Sequence, residues 1–177
     1  MTAGILPPSE DEYAPYYGRY IELVPAGELH TRLTSQPGEL RALLGALDEA
    51  AAGFRPGPAE WSVKEVVGHL CDWERILSFR ALCFARGDQS ALPGLDPDDY
   101  VREARFDSRT LADLLEEFEL LRRANALVFQ ALAPEHALRV GTTSGSPTSV
   151  RALLYIMAGH VTWHLRSLRE DYLARMG

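Results

Sequence analysis

Apolar residues return every three or four positions along four long stretches of this chain, and Pro- and Gly-rich breaks separate the stretches. That period marks helices that each bury one face. With no strand signal of weight beside it, it predicts an all-α fold, a four-helix bundle. The first stretch, residues 27–52, presents Leu29, Leu33, Leu40, Leu43, Leu44 and Leu47, with Pro37 in its early turns or at a kink. The second follows the break at 53–58. There Ser62 and Glu65 have the spacing of a capping box, and the stretch runs through Val66, Leu70, Trp73, Ile76, Leu77 and Leu82 to Arg86, with Gly87 as its stop. The third carries Leu111, Leu114, Leu115, Phe118, Leu121, Leu127 and Leu132, with Asp107 or Ser108 as its cap. The fourth begins at Ser149, after a turn-rich run at 140–147, and continues nearly to the C-terminus. The longest linker, residues 88–106, joins the second and third stretches and is long enough to suggest a role of its own.

A chain of 177 residues can bury a sizeable core, and residues 1–177 read as one domain. Its first 26 residues look irregular, yet Tyr13, Tyr16, Tyr17 and Tyr20 are too aromatic for a free tail, so this arm should lie against the bundle or a partner subunit. The net charge of −7 argues against nucleic acid as a partner. Arg122 and Arg123, the one adjacent basic pair, read as a solvated helix face. Cys71 and Cys83 stand twelve apart in one predicted helix, about 18 Å of rise, too far to pair as a disulfide. Free thiols fit a reducing compartment. No apolar run approaches a membrane span and the N-terminus lacks a signal-peptide pattern, so the expected location is cytoplasmic.

Three histidines fall on the faces these helices should bury. In the fourth stretch, steps of three and four from Val150 reach Leu153, Met157, His160, His164 and Leu168. His160 and His164 therefore lie one above the other on one face. In the second stretch, steps from Val66 reach His69, Trp73 and Ile76. A single inward histidine is usually a core residue bonded to a carbonyl or carboxylate. Three are harder to satisfy that way, because one shared cation takes up three ring nitrogens at once. Asp72 and Glu65 lie within one turn of His69 and either could accept a ring proton or act as a base; the alternative is an ordinary solvated carboxylate. Cys71 points about 200° away from His69 and is not expected to ligate. Trp73 and Trp163 are expected to pack, and His30 and His136 to sit at the surface.

The runs Glu60-Trp61-Ser62-Val63-Lys64-Glu65-Val66-Val67-Gly68-His69-Leu70-Cys71-Asp72-Trp73-Glu74 and Ala158-Gly159-His160-Val161-Thr162-Trp163-His164 resemble the DinB-like (YfiT-like) metalloenzyme family, over nearly the whole chain from the first helix on. The resemblance implies an up-down-down-up order of helices with a long crossover. It also implies a divalent cation, zinc or nickel, with His69, His160 and His164 at the positions of the ligands. Homodimers are common in such a family, and some members use low-molecular-weight thiols such as bacillithiol or mycothiol.

Three neutral ligands would leave an open face and an uncompensated positive charge, the mark of a catalytic rather than a structural metal. The expectation is a metal-dependent transferase or hydrolase acting on a small thiol or its adduct. The alternative is a non-catalytic, metal-binding, stress-related dimeric interaction protein. Walls for the pocket should come from the 88–106 linker and the aromatic arm.

Overall fold

The computed structural model of the protein describes residues 4–176; the first three residues of the expected arm and Gly177 lie outside them. Two 3₁₀ turns, Glu10–Glu12 and Pro15–Tyr17, lead into a short helix α1 (Gly18–Ile21). Then come α2 (Leu29–Leu44), α3 (Glu49–Ala52), α4 (Val63–Ala85), α5 (Pro97–Ala104), α6 (Leu111–Gln130) and α7 (Pro134–Ala137). Strands β1 (Val140–Thr143) and β2 (Ser146–Ser149) precede α8 (Val150–Ser167), which runs on through a π-helical segment, Leu168–Leu173. No helix among the described residues is long and apolar enough to cross a membrane.

Helices α2, α4, α6 and α8 form a four-helix bundle, and contacts fix their directions. Along α4 and α6 the partners advance together: Cys71 Sγ meets the Leu114 carbonyl, Arg75 meets Glu117, and Glu74 meets Arg122 and Asn125, so the two helices are parallel. Along α2 and α6 they run in opposition, Gln36 meeting Arg122 while Arg41 meets Glu119. Helix α8 opposes α4, because His160 lies beside His69 while the Tyr172 hydroxyl donates to the Trp61 carbonyl at the start of α4. The order is up-down-down-up. Two parallel neighbours cannot be joined by a tight turn, and the segment at 86–110 makes that crossover.

Local chemistry explains most boundaries. The Ser62 hydroxyl accepts from the Glu65 N–H at 3.0 Å and the Glu65 carboxylate accepts from the Ser62 N–H at 2.9 Å, closing the expected capping box. Gly87 adopts a φ of 85° just past the end of α4. Helix α6 is capped by Thr110, not by Asp107 or Ser108. Asp107 instead accepts from the Ser62 hydroxyl at 2.6 Å and from Arg55 at 2.5 Å, fastening the crossover to the start of α4.

Three expectations about elements are corrected. The first helical stretch is two helices, because Gly45 ends α2 and Asp48 caps α3 by accepting from the Ala51 N–H. The 88–106 linker contains α5, and Leu92 bridges to Thr143. The turn-rich run before α8 is a β-hairpin whose turn residues, Ser144 and Gly145, have φ of 52° and 79°. Both lie in the positive region that a two-residue primed turn demands; Gly145 supplies it at no steric cost, whereas Ser144 is held there by the hairpin.

The apolar core falls into two halves. Leu29, Leu33, Leu77, Phe84, Phe129 and Met157 belong to one, and Leu40, Leu70, Leu114, Phe118, Val161 and Leu165 to the other. Between them lie the buried polar side chains Gln36, His69, Glu74, Arg122 and His160.

Candidate metal centre

Two glycines bring the histidines to their places. A Cβ on Gly68 would lie 2.3 Å from the ring of Phe106, so its absence lets the end of the crossover press onto α4 next to His69. A Cβ on Gly159 would lie 1.9 Å from the carbonyl oxygen of Tyr20, so the N-terminal arm can rest on the backbone of α8 next to His160. The arm packs on the bundle through α1, and Tyr20 and Ile21 are buried there.

His69, His160 and His164 converge, and their candidate ligand atoms all lie within 4.8 Å of one another. The Nε2 of His160 is 3.0 Å from that of His69 and 3.1 Å from that of His164. With metal–nitrogen bonds of about 2.0–2.1 Å, two nitrogens on one ion stand roughly 2.9 Å apart at a right angle and roughly 3.4 Å apart at a tetrahedral angle. The two short separations fall in that range. Without a cation, a single proton on His160 Nε2 can bridge to only one neighbour, which leaves two ring lone pairs facing each other. The donor set therefore fits a shared divalent ion.

Electrostatics keep the rings in the ligating form. Burial pushes the pKa of His69 well below its usual value, and the charge of His164 adds to this. Burial dominates for His160 too, followed by His164, His69, Arg122 and Arg19. His164 is brought down to about 4 by burial and then by Arg19. All three imidazoles are neutral at pH 7, as metal ligands must be.

The surroundings are aromatic. Trp61 and Trp73 flank His69, each with ring centroids 4.7 Å away, and His69 Nδ1 is buried with no hydrogen-bond partner. Tyr20 meets His160 edge-on at 5.2 Å and Trp163 at 5.9 Å. The Arg19 guanidinium lies over Tyr16, Tyr20 and Trp163, at 3.9, 4.9 and 5.4 Å from the ring centroids. It also donates to the Tyr20 hydroxyl at 3.1 Å.

The carboxylates named from sequence do not reach the imidazoles. Glu65 is held by the Ser62 N–H and Arg55. Asp72 lies in the field of Arg75, Arg109 and Glu117, towards α6, where burial raises its pKa. The free Nδ1 of His69 shows that neither accepts its proton. His136 lies on α7, outside the three-histidine group, and its Nδ1 is buried with no hydrogen-bond partner.

Sequence reading missed the polar layer beside this cluster. Arg122 is not on a solvated face; it is 1% exposed. Its Nε donates to Glu74 Oε1 at 2.9 Å and its Nη1 to Gln36 Oε1 at 2.8 Å. Its Nη2 stands 2.9 Å from Glu74 Oε2, a charge contact whose N–H groups do not point along the line between the atoms. Asn125 also donates to Glu74, and the Gln36 amide donates to the Ala158 carbonyl and to Thr162. Arg122 Nη1 further approaches the Leu33 carbonyl at 3.4 Å. That carbonyl would bond the N–H four residues on, but the residue there is Pro37, inside α2. The signal was in the phase: steps of three and four run from Leu115 through Phe118 to Arg122, and from Leu70 to Glu74 and Leu77.

A cavity of about 310 Å³ opens beside His164, with Trp61, Trp163, Tyr172, Glu60 and Asp98 in its lining. Asp98 comes from α5 of the crossover.

Comparison with known proteins places this arrangement. The model of the DinB superfamily matches residues 32–168. Among solved structures, YfiT from Bacillus subtilis, described as a probable metal-dependent hydrolase with an unusual four-helix bundle topology, superposes with a TM-score of 0.77 at 16% identity, over 96% of this chain and 93% of that one. A mycothiol-dependent maleylpyruvate isomerase superposes with a TM-score of 0.67 at 13% identity. That alignment takes in 86% of this chain but only 62% of the isomerase. At these identities the likeness is one of fold. No curated protein sequence matches the chain.

Proposed function

The chain belongs to the DinB superfamily, and on that premise we propose that it is a divalent-metal-dependent enzyme, with His69, His160 and His164 as the metal ligands and transferase or hydrolase chemistry on a small thiol or thiol adduct. The observation that carries this reading is the convergence of three neutral Nε2 atoms from two helices, with no carboxylate among them. Zinc or nickel suits such a nitrogen set. When bound, the cation supplies a Lewis acid that lowers the pKa of a thiol or water at its open face.

The chain's own residues do the rest. His164 borders the cavity and gives a ligand its approach to the cluster. Trp61 and Trp73 hold the His69 ring between them and keep water from it. Arg19, fixed on its aromatic platform, adds a positive charge on the His160–His164 side and helps hold both imidazoles neutral. The thiol part of the reading is supported by the fold shared with a mycothiol-dependent isomerase. The same reading takes residues 1–177 as one domain of a cytoplasmic homodimer that does not bind nucleic acid.

Metal analysis of gently purified protein tests the proposal. About one ion per chain is expected in the wild type, and a large loss in His69→Ala, His160→Ala and His164→Ala. Each variant should keep the helical circular dichroism of the wild type, because both halves of the apolar core are built without metal. A wild type that takes up neither zinc nor nickel would sink the proposal. Unfolding of the whole bundle in chelator would favour the non-catalytic, structural-metal alternative.

A further inference from the structure

The cavity beside His164 has a chemical character that the choice of metal and reaction does not dictate. Trp61, Trp163 and Tyr172 give it aromatic walls, and Glu60 and Asp98 bring two carboxylates to it. Its lining among the described residues includes no lysine or arginine. Neither carboxylate has an ion-pair partner among the described residues; Glu60 is engaged through its backbone carbonyl, which accepts from Arg55, and Asp98 through its backbone N–H. The Arg55 guanidinium itself is taken up by Glu65 and Asp107.

Aromatic faces combined with carboxylates form the usual receptor for an organic ammonium ion: the rings offer their negative faces and the carboxylates neutralise the charge. Trp163 already carries one cation, the Arg19 guanidinium over its ring, and that charge opposes a second one, so the two carboxylates carry the attraction. On the Tyr172 side, burial raises the phenol to about 12, with Glu60, Asp171 and Glu65 pushing in the same direction and Arg55 against them. Arg175 and Asp171 lie in a neighbouring cavity that shares Glu60, Ser167 and Tyr172 with this one, so the basic and acidic groups on that side come as a pair. At about 310 Å³, the space suits a small ligand.

We propose that this cavity selects small organic cations: ligands that present a donor atom to the metal at the histidines and an ammonium group to Trp61 and Trp163, between Glu60 and Asp98. This rests on the metal reading above. It assigns charge specificity to two residues outside the metal ligands, one at the entry to α4 and one on the crossover helix α5.

The test uses the full chain loaded with cobalt(II), whose absorption reports a bound thiolate. It is titrated with cysteamine, 2-mercaptoethanol and thioglycolate, three small thiols that carry a positive, no and a negative charge. Their intrinsic acidities differ, so the quantity that matters is the cysteamine-to-thioglycolate affinity ratio in wild type against Glu60→Gln/Asp98→Asn. That ratio is expected to fall on the order of tenfold in the double variant, the loss of two exposed ion pairs with the aromatic faces left in place. Cobalt content and 2-mercaptoethanol affinity should stay as they were. In the wild type the ratio should also shrink as salt is raised, because the carboxylates are exposed and screened. An equal ratio in wild type and double variant overturns the inference. If the double variant fails to fold, a wild-type ratio indifferent to salt overturns it equally. Failure of the wild type to take up cobalt is a separate result: it removes the metal reading, and this inference with it.

Discussion

Replacing Arg122 with methionine removes a guanidinium from the middle of the bundle while keeping much of its length. The side chain is 1% exposed and its partner Glu74 is 3% exposed, so water cannot take over from either. The substitution leaves the Glu74 carboxylate buried with Asn125 as its remaining donor, and deprives Gln36 Oε1 and the Leu33 carbonyl of theirs. Breaking one side of a buried ion pair costs about 3–5 kcal/mol, and an orphaned neutral acceptor adds roughly 1–3 kcal/mol. These terms overlap, so about 4–5 kcal/mol is a reasonable expectation. With a urea slope of about 2 kcal/mol per molar, the midpoint should fall by about 2 M. Glu74→Leu should cost a similar amount. The double variant Glu74→Leu/Arg122→Met has no uncompensated charge, and should cost several kcal/mol less than the two single variants added together. Urea unfolding followed by circular dichroism gives all four corners of this cycle. If each single variant costs less than about 1 kcal/mol, or if the double variant costs the plain sum, the pair does not bind the bundle together in the way its geometry implies.

Gly159→Ala places a methyl group against the Tyr20 carbonyl, 1.9 Å from the ideal Cβ position, and backbone cannot yield as a side-chain tip can; limited proteolysis should then cut within residues 10–26 faster than in wild type, and unchanged cleavage would refute the contact. For the metal-free protein, the buried histidines have pKa values lowered by folding, so the unfolded chain binds more protons as pH falls below about 6.5. Apo stability should therefore drop on going from pH 7 towards pH 4, where His164 titrates, and the drop should be reduced in His164→Ala. Arg151, bonded to Glu12, holds that carboxyl at about 2. Its contribution is full above the ordinary value of 4.5 and is lost as pH falls from there to about 2, so Glu12→Gln should flatten that acid limb of the stability curve.

The helices and the three inward histidines were legible because both are matters of period: a residue's phase on a helix is set by position alone. The capping box at Ser62 was legible because its chemistry is local. What escaped was what depends on residues far apart in the chain. Glu65 is held by the local cap at Ser62 and also by Arg55, a second partner from outside the helix that takes it further out of His69's reach. Thr110, not Asp107, caps α6, because Asp107 is drawn to Ser62 and Arg55 across the crossover. Arg122 was misread through its residue type although its phase was that of a core position; a charged residue in such a phase is buried when a partner stands in phase on the facing helix, as Glu74 does. The hairpin before α8 was missed because its strands are four residues each and too polar to show an alternating pattern.

The two glycines that precede His69 and His160 bear on any attempt to transplant this centre into another scaffold. Copying three histidines at their helical spacing would reproduce the ligands but not the cover, because Phe106 and the Tyr20 backbone reach the helices only where Gly68 and Gly159 present no side chain. A designer would have to graft five residues rather than three, with two of them chosen for the space they leave. The recipient would also need a strap of its own to lay across α8. A borrowed site without that strap would have its imidazoles open to solvent and protons, and would give up the ligating state at a higher pH than this protein does.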